Sequence, residues 1–121
     1  MEKGESMLIG EIAKSSGLTK AAIRHYVDLG LLKPTPKQAG SRHYNDFSDD
    51  DVERLKWIEL GKKLDFTLAE IGPYLNLFMT GQAPNNGWVE LFEGKLIEVD
   101  QKIAELQSVR EMLANKLGKN A

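Results

Sequence analysis

Apolar positions in the first third of the chain recur at helical spacing in two short blocks. Ile9, Ile12 and Ala13 share one face of a segment that Gly17 stops. Ala22, Ile23, Tyr26 and Val27 form a stripe on a second segment, which Thr19 is suited to cap and Gly30 to end. Two short helices joined by a tight glycine turn predict a helix-turn-helix. Lys33–Gly40, with Pro34, Pro36 and Gly40, cannot be helical, and Ser41–Phe47 alternates as an edge strand does. Together these segments predict a small β-hairpin, a wing.

The pattern then lengthens. Ser48 is placed to cap a helix whose first turn holds Asp49, Asp50 and Asp51 on the positive end of the dipole. Val52, Leu55, Ile58 with Trp57, and Leu60 give that helix an apolar face to about Leu64. Thr67 to Glu70 has capping-box spacing and opens a helix carrying Leu68, Ile71, Leu75 and Phe78, with Pro73 expected to kink or tighten its beginning. Residues 81–87 are rich in glycine, proline and asparagine and predict a linker. From Trp88 onward the spacing becomes a heptad: Phe92, Leu96, Val99, Ile103, Leu106, Arg110, Leu113 and Leu117 alternate steps of four and three. Arg110 is the polar exception. About 30 residues of helix reach ~45 Å, and a heptad seam of that length needs a partner. A second copy packed antiparallel is the simplest one. The predicted fold class is therefore mainly α: a winged helix-turn-helix domain over residues 7–80, a linker over 81–87, and a long antiparallel coiled-coil dimerisation helix over 88–118.

Charge refines this picture. The 121 residues carry a net charge of −2, but residues 1–48 hold seven Lys/Arg against five Asp/Glu, whereas the remainder holds nine against thirteen. A surface for phosphates is thus expected in the first half, where His25 and His43 also lie. There is no cysteine, which removes disulfides, thiolate metal sites and thiol redox switching by this sequence. No apolar run approaches a membrane span and no signal peptide opens the chain, so a cytoplasmic protein is expected. Met1–Ser6 is polar, an expected frayed end, with Met7 a second candidate start. With no Gly-rich phosphate loop, glycine-flanked serine or metal-ligand cluster, no enzyme, cofactor or metal is expected. Two histidines without a spacing motif make poor ligands, and the three consecutive aspartates are better explained as helix capping.

In its order of elements the chain resembles the MerR family of bacterial transcriptional regulators. The resemblance rests on Ile9-Gly10-Glu11-Ile12-Ala13-Lys14 through Gly17, on Arg24-His25-Tyr26 to Gly30-Leu31-Leu32-Lys33-Pro34, on the wing segment Arg42-His43-Tyr44, and on Leu64 to Ile71, which matches a second wing-like turn. It covers about residues 7–117. It implies a homodimer on a pseudo-palindromic promoter operator, which such regulators bend and untwist so that RNA polymerase reads both promoter elements. Thr35-Pro36-Lys37 and Gly40-Ser41-Arg42 depart from the family pattern, where an arginine and a Gly-Tyr-Arg stretch are usual; the wing's hold on phosphate is expected to be weaker or differently spread.

The candidate DNA contacts follow. Lys14, Thr19, Lys20, Ala21 and Arg24 lie on or beside the exposed start of the second helix, the end that enters a major groove, and Arg24 suits a guanine edge or a phosphate. His25 adjoins them. Tyr26 belongs to the apolar stripe with a hydroxyl able to reach a phosphate, the two roles being evenly balanced. Arg42, His43 and Tyr44 in the wing suit the DNA backbone, and Lys62 and Lys63 suit further phosphates or a merely solvated pair. The rival readings are a MerR-like adaptor that binds a protein partner instead of DNA, as chaperone modulators do, and an architectural protein with little sequence preference. Lys14, Lys20, Arg24 and Arg42 favour DNA over the adaptor.

Overall fold

The computed structural model describes residues 6–81 and 87–119; the predicted frayed end other than Ser6, and residues 82–86 of the predicted linker, lie outside the described residues. Helix α1 (Ile9–Ser16) starts where the Glu11 carboxylate accepts the Leu8 backbone N–H at 2.7 Å. Helix α2 (Lys20–Asp28) starts at Thr19, whose hydroxyl accepts the Ala22 N–H at 3.0 Å and satisfies one of the open donors of the first turn. Its far end is a closed Schellman turn. The Leu31 N–H donates to the Tyr26 carbonyl and the Gly30 N–H to the Val27 carbonyl, both at 2.9 Å. That closure needs a left-handed residue at position 30, and Gly30 supplies it with φ 78°.

The predicted wing is present. Strands β1 (Thr35–Ala39) and β2 (Arg42–Asp46) pair antiparallel, with Thr35 opposite Asp46 and Ala39 opposite Arg42. The two-residue connection turns on Gly40, whose φ is 65°. Pro36 fits within β1 because this two-stranded sheet is all edge. Met7 and Phe47 exchange backbone hydrogen bonds of 2.9 and 2.8 Å, so the entry to α1 is pinned to the exit of the wing.

Helices α3 (Asp49–Lys63) and α4 (Leu68–Thr80) complete the first compact unit, Met1–Gln82. Helix α4 runs on through Pro73. Ile12, Ile23, Leu32, Phe47, Ile58 and Leu75 are the fully buried centre of this first unit. Trp57 stacks on Phe78 with ring centroids 5.5 Å apart, joining α3 to α4.

One expectation is corrected. Leu60, placed by the periodicity on the apolar face of α3, is 46% exposed. The buried stripe is Asp51, Arg54, Leu55 and Ile58, at i, i+3, i+4 and i+7, and Leu60 lies about 200° round the helix from Ile58. Two of those positions are charged, and each charge is compensated. Asp51, 1% exposed, accepts the Lys33 N–H at 2.8 Å and the Ser48 N–H at 3.2 Å. The Arg54 guanidinium donates to the Leu31 carbonyl at 3.1 Å, to the Asn76 side-chain oxygen, and to the Asp50 carboxylate at 3.4 Å. A buried ion is tolerated only when paired this way. Here the pairing welds the Leu31–Lys33 segment, between α2 and the wing, to α3 and α4.

The second unit, Ala83–Ala121, is described as one 30-residue helix, α5 (Gly87–Lys116), followed by a turn. Phe92, Leu96, Ile103, Leu106, Leu113 and, in the turn, Leu117 are exposed large apolar residues, with Leu96 at 60% and Leu117 at 70%. No helix among the described residues is long and apolar enough to cross a membrane.

Candidate nucleic-acid interface

The cap at Thr19 fixes where α2 begins, and so which side chains stand on its outer face. Lys20, Ala21, Arg24 and His25 are exposed, whereas Ile23 and Tyr26 turn inward. Lys14 is exposed in the last turn of α1. The stem of Lys20 lies beside Gly10, where a Cβ would sit 3.5 Å from the lysine Cε, an ordinary contact distance.

The wing returns towards the same helix. Arg24 and Asp28 of α2 and Arg42, His43 and Tyr44 of β2 line one concavity of about 400 Å³ floored partly by Phe47. Arg24 and Arg42 are thus brought to one concavity whose lining holds one carboxylate, Asp28, a balance that suits an anion. The Arg42 guanidinium lies 5.2 Å from the Tyr44 ring centroid, within cation–π range. Residues 18 positions apart in sequence meet here because the Met7–Phe47 bridge and the Asp51–Lys33 bond hold the wing against α1 and α3.

Tyr26 takes the inward of the two roles open to it. It is 2% exposed, and its hydroxyl hydrogen-bonds to Glu59 Oε2 and to Lys62 Nζ, each at 3.0 Å. Lys62 is thereby brought beside α2, with its ammonium 3.8 Å from the Glu59 carboxylate. Its pKa is raised, first by the Tyr26 hydrogen bond, against an opposing desolvation, with further Coulombic help from Tyr26 and Glu59. Lys63 is exposed at the end of α3.

Three residues that shape this surface escaped the sequence reading. Asp51 looked like one of three capping carboxylates, although its place three residues after Ser48 is the spacing of a capping box. Arg54 and Glu59 carried no signal for these roles, because Leu31 and Asn76, which Arg54 binds, and Tyr26, which Glu59 binds, lie more than twenty residues away. Among the described residues no group of three or more His, Cys, Asp or Glu is arranged to hold a metal ion.

Comparison with known proteins agrees with this architecture. Residues 7–77 match the sequence profile of MerR HTH family regulatory proteins, and residues 52–116 match the profile described as MerR, DNA binding. An HTH-type transcriptional regulator of Pseudomonas aeruginosa is 38% identical over 108 residues, covering 88% of this chain and 80% of that protein. The transcription regulator PbrR691 from Ralstonia metallidurans CH34, solved in complex with lead(II), superposes with a TM-score of 0.73 at 26% identity, over 90% of this chain and 83% of that one. The MerR family regulator HiNmlR, solved bound to promoter DNA, shares the fold with a TM-score of 0.60 at 24% identity, over 94% and 85%. A mainly helical winged helix-turn-helix with a long C-terminal helix, matched along most of its length by such regulators, makes this chain a member of the MerR family of DNA-binding transcriptional regulators.

Proposed function

We propose that the chain acts as a homodimer on a pseudo-palindromic promoter operator, which it distorts so that RNA polymerase gains or loses access to the promoter elements. The observation that carries the reading is the shared concavity: Arg24 of α2 and Arg42 of the wing line one space, so that a DNA backbone seated there would be gripped while the outer face of α2 enters the groove. Lys14, Thr19, Lys20, Ala21, Arg24 and His25 of the helical pair, and Arg42, His43 and Tyr44 of the wing, form the contact surface, with Lys62 and Lys63 adding phosphate contacts.

The dimer half of the proposal rests on α5. Thirty helical residues extend about 45 Å, and the seam from Phe92 to Leu117 exposes large apolar side chains along that length. An antiparallel pairing over residues 88–118 covers the seam and leaves two reading domains, each spanning residues 7–80, related by a two-fold axis. Such symmetry suits an operator whose half-sites repeat with opposite orientation, and bending it costs on the order of several kcal/mol that the paired contacts offset.

A DNase footprint on the region upstream of the protein's own gene and adjacent divergent genes tests the reading. A two-fold-symmetric protected site that Arg24→Ala abolishes is the expected result. Absence of any protected site at low salt would sink it, and capture of a protein partner instead would support the adaptor.

A further inference from the structure

A lysine on a surface helix is a loose anchor for phosphate, because its stem must give up several free rotors on binding. Lys62 is held before any phosphate arrives. Its ammonium donates to the Tyr26 hydroxyl at 3.0 Å, stands 3.8 Å from the Glu59 carboxylate, and lies 5.8 Å from the Tyr26 ring centroid. The phenol itself cannot wander: its ring is 2% exposed in the core between α2 and α3, and its O–H donates to Glu59 Oε2 at 3.0 Å. Because a phenol has one proton, committing that proton to Glu59 turns an oxygen lone pair towards the ammonium. One of the three ammonium donors is then committed to the phenol, and the Glu59 carboxylate 3.8 Å away holds the charge by ion pairing. The side chain remains 46% exposed, which leaves the ammonium donor capacity for a phosphate.

We propose that Tyr26 is a positioning residue for DNA binding: its buried phenol, braced by Glu59, holds the Lys62 ammonium beside α2 in the place where it receives a DNA phosphate. Tyr26 thus acts on DNA through Lys62 and not by its own contact. The inference rests on the DNA-binding reading above and deepens it. Tyr26→Phe keeps the ring and its burial and removes only the hydroxyl, so it separates holding the lysine from filling the core.

The test is a two-by-two set: wild type, Tyr26→Phe, Lys62→Met and the double variant. Each binds a fluorescein-labelled mixed-sequence duplex of about 30 base pairs, long enough for two half-sites, followed by anisotropy across a salt series. Thermal melts and stoichiometric titration at low salt fix the folded, active fraction of each protein. Lys62→Met is expected to lower the slope of log affinity against log salt by about 0.9, the value of one phosphate contact. Tyr26→Phe is expected to weaken binding about three- to tenfold in the Lys62 background, the cost of ordering one long side chain, and not at all when Lys62→Met is present. An equal loss from Tyr26→Phe in both backgrounds, no loss in either, or an unchanged slope in Lys62→Met overturns the positioning role while wild-type binding persists. Failure of wild type to bind duplex DNA at low salt overturns the DNA-binding reading itself, and this inference with it.

Discussion

Gly61 sits inside α3, two residues before its end, where an alanine would ordinarily strengthen the helix by about 0.5–1 kcal/mol. The tertiary structure predicts the opposite. A Cβ at position 61 would stand 2.8 Å from both Cγ1 and Cδ1 of Ile71 on α4. Carbons in contact rest near 3.5–4.0 Å, so the overlap is close to an ångström at two atoms. Ile71 is itself buried and, being β-branched in a helix, has one strongly preferred χ1. It yields only by a rotamer change or a shift of α4, and overpacking of this kind costs about 1–3 kcal/mol. Gly61→Ala should therefore destabilise by a net ~1–2 kcal/mol, a fall in Tm of roughly 4–15 °C for a unit this small. Urea melts at fixed protein concentration measure it, since the stability of the proposed dimer would depend on concentration. Two controls isolate the cause. Gly94→Ala, in α5 with nothing within 4 Å of the added carbon, should be neutral to stabilising. In an Ile71→Ala background, where the clashing atoms are gone and a cavity awaits, Gly61→Ala should become stabilising. If Gly61→Ala raises stability in the wild-type background, or if its penalty survives Ile71→Ala, the close packing of α4 on the α3 backbone is not what this glycine serves.

The other predictions concern the helix ends, the seam and pH. Asp65 closes α3 at φ 70°, with its N–H donating to the Lys62 carbonyl and the Phe66 N–H to the Gly61 carbonyl, so Asp65→Gly should raise stability by about 1 kcal/mol in denaturant melts; a loss would show that the aspartate side chain matters more than the backbone strain. Arg110→Leu should raise the Tm of the proposed dimer, because it replaces a charge at a seam position with an apolar side chain; a drop would mean that the arginine is paired across the proposed interface. Lys62 is a cation whose folded pKa is raised above its ordinary 10.5, mainly by the Tyr26 hydroxyl and with Glu59 adding to it. Its contribution to stability is then complete below pH 10.5 and is lost as pH climbs through the higher folded value. Urea melts of wild type and Lys62→Met should differ at neutral pH and converge only in the strongly alkaline range; convergence near neutrality would refute the sign.

How much of this was legible beforehand depends on the range of the interaction. Periodicity and stop signals placed α1, α2, the wing and α4, because amphipathic spacing, the Thr19 and Thr67 caps, Gly30 and Gly40 act within a few residues of themselves. The seam of α5 was equally plain as a spacing, since a heptad is a property of the chain and not of its neighbours. Leu60 shows where periodicity misleads: the apolar spacing of α3 places it on the inner face, whereas the buried stripe takes in Asp51 and Arg54 beside Leu55 and Ile58 and leaves Leu60 outside. That choice needs the Lys33 N–H, the Leu31 carbonyl and the Asn76 side chain, which only the folded chain brings within hydrogen-bond reach. Local pattern alone leaves Tyr26 divided between core and DNA for the same reason, as its hydroxyl turns inward where α3 delivers Glu59 and Lys62 to it. The sequence by itself determined which segments are helix, turn and hairpin, and that the basic face lies in the first half, because these follow from local sterics, capping and formal charge. The tertiary structure alone decided which charges are buried, which glycine must stay small and which lysine is held in place, because each depends on partners tens of residues distant whose approach no local pattern encodes.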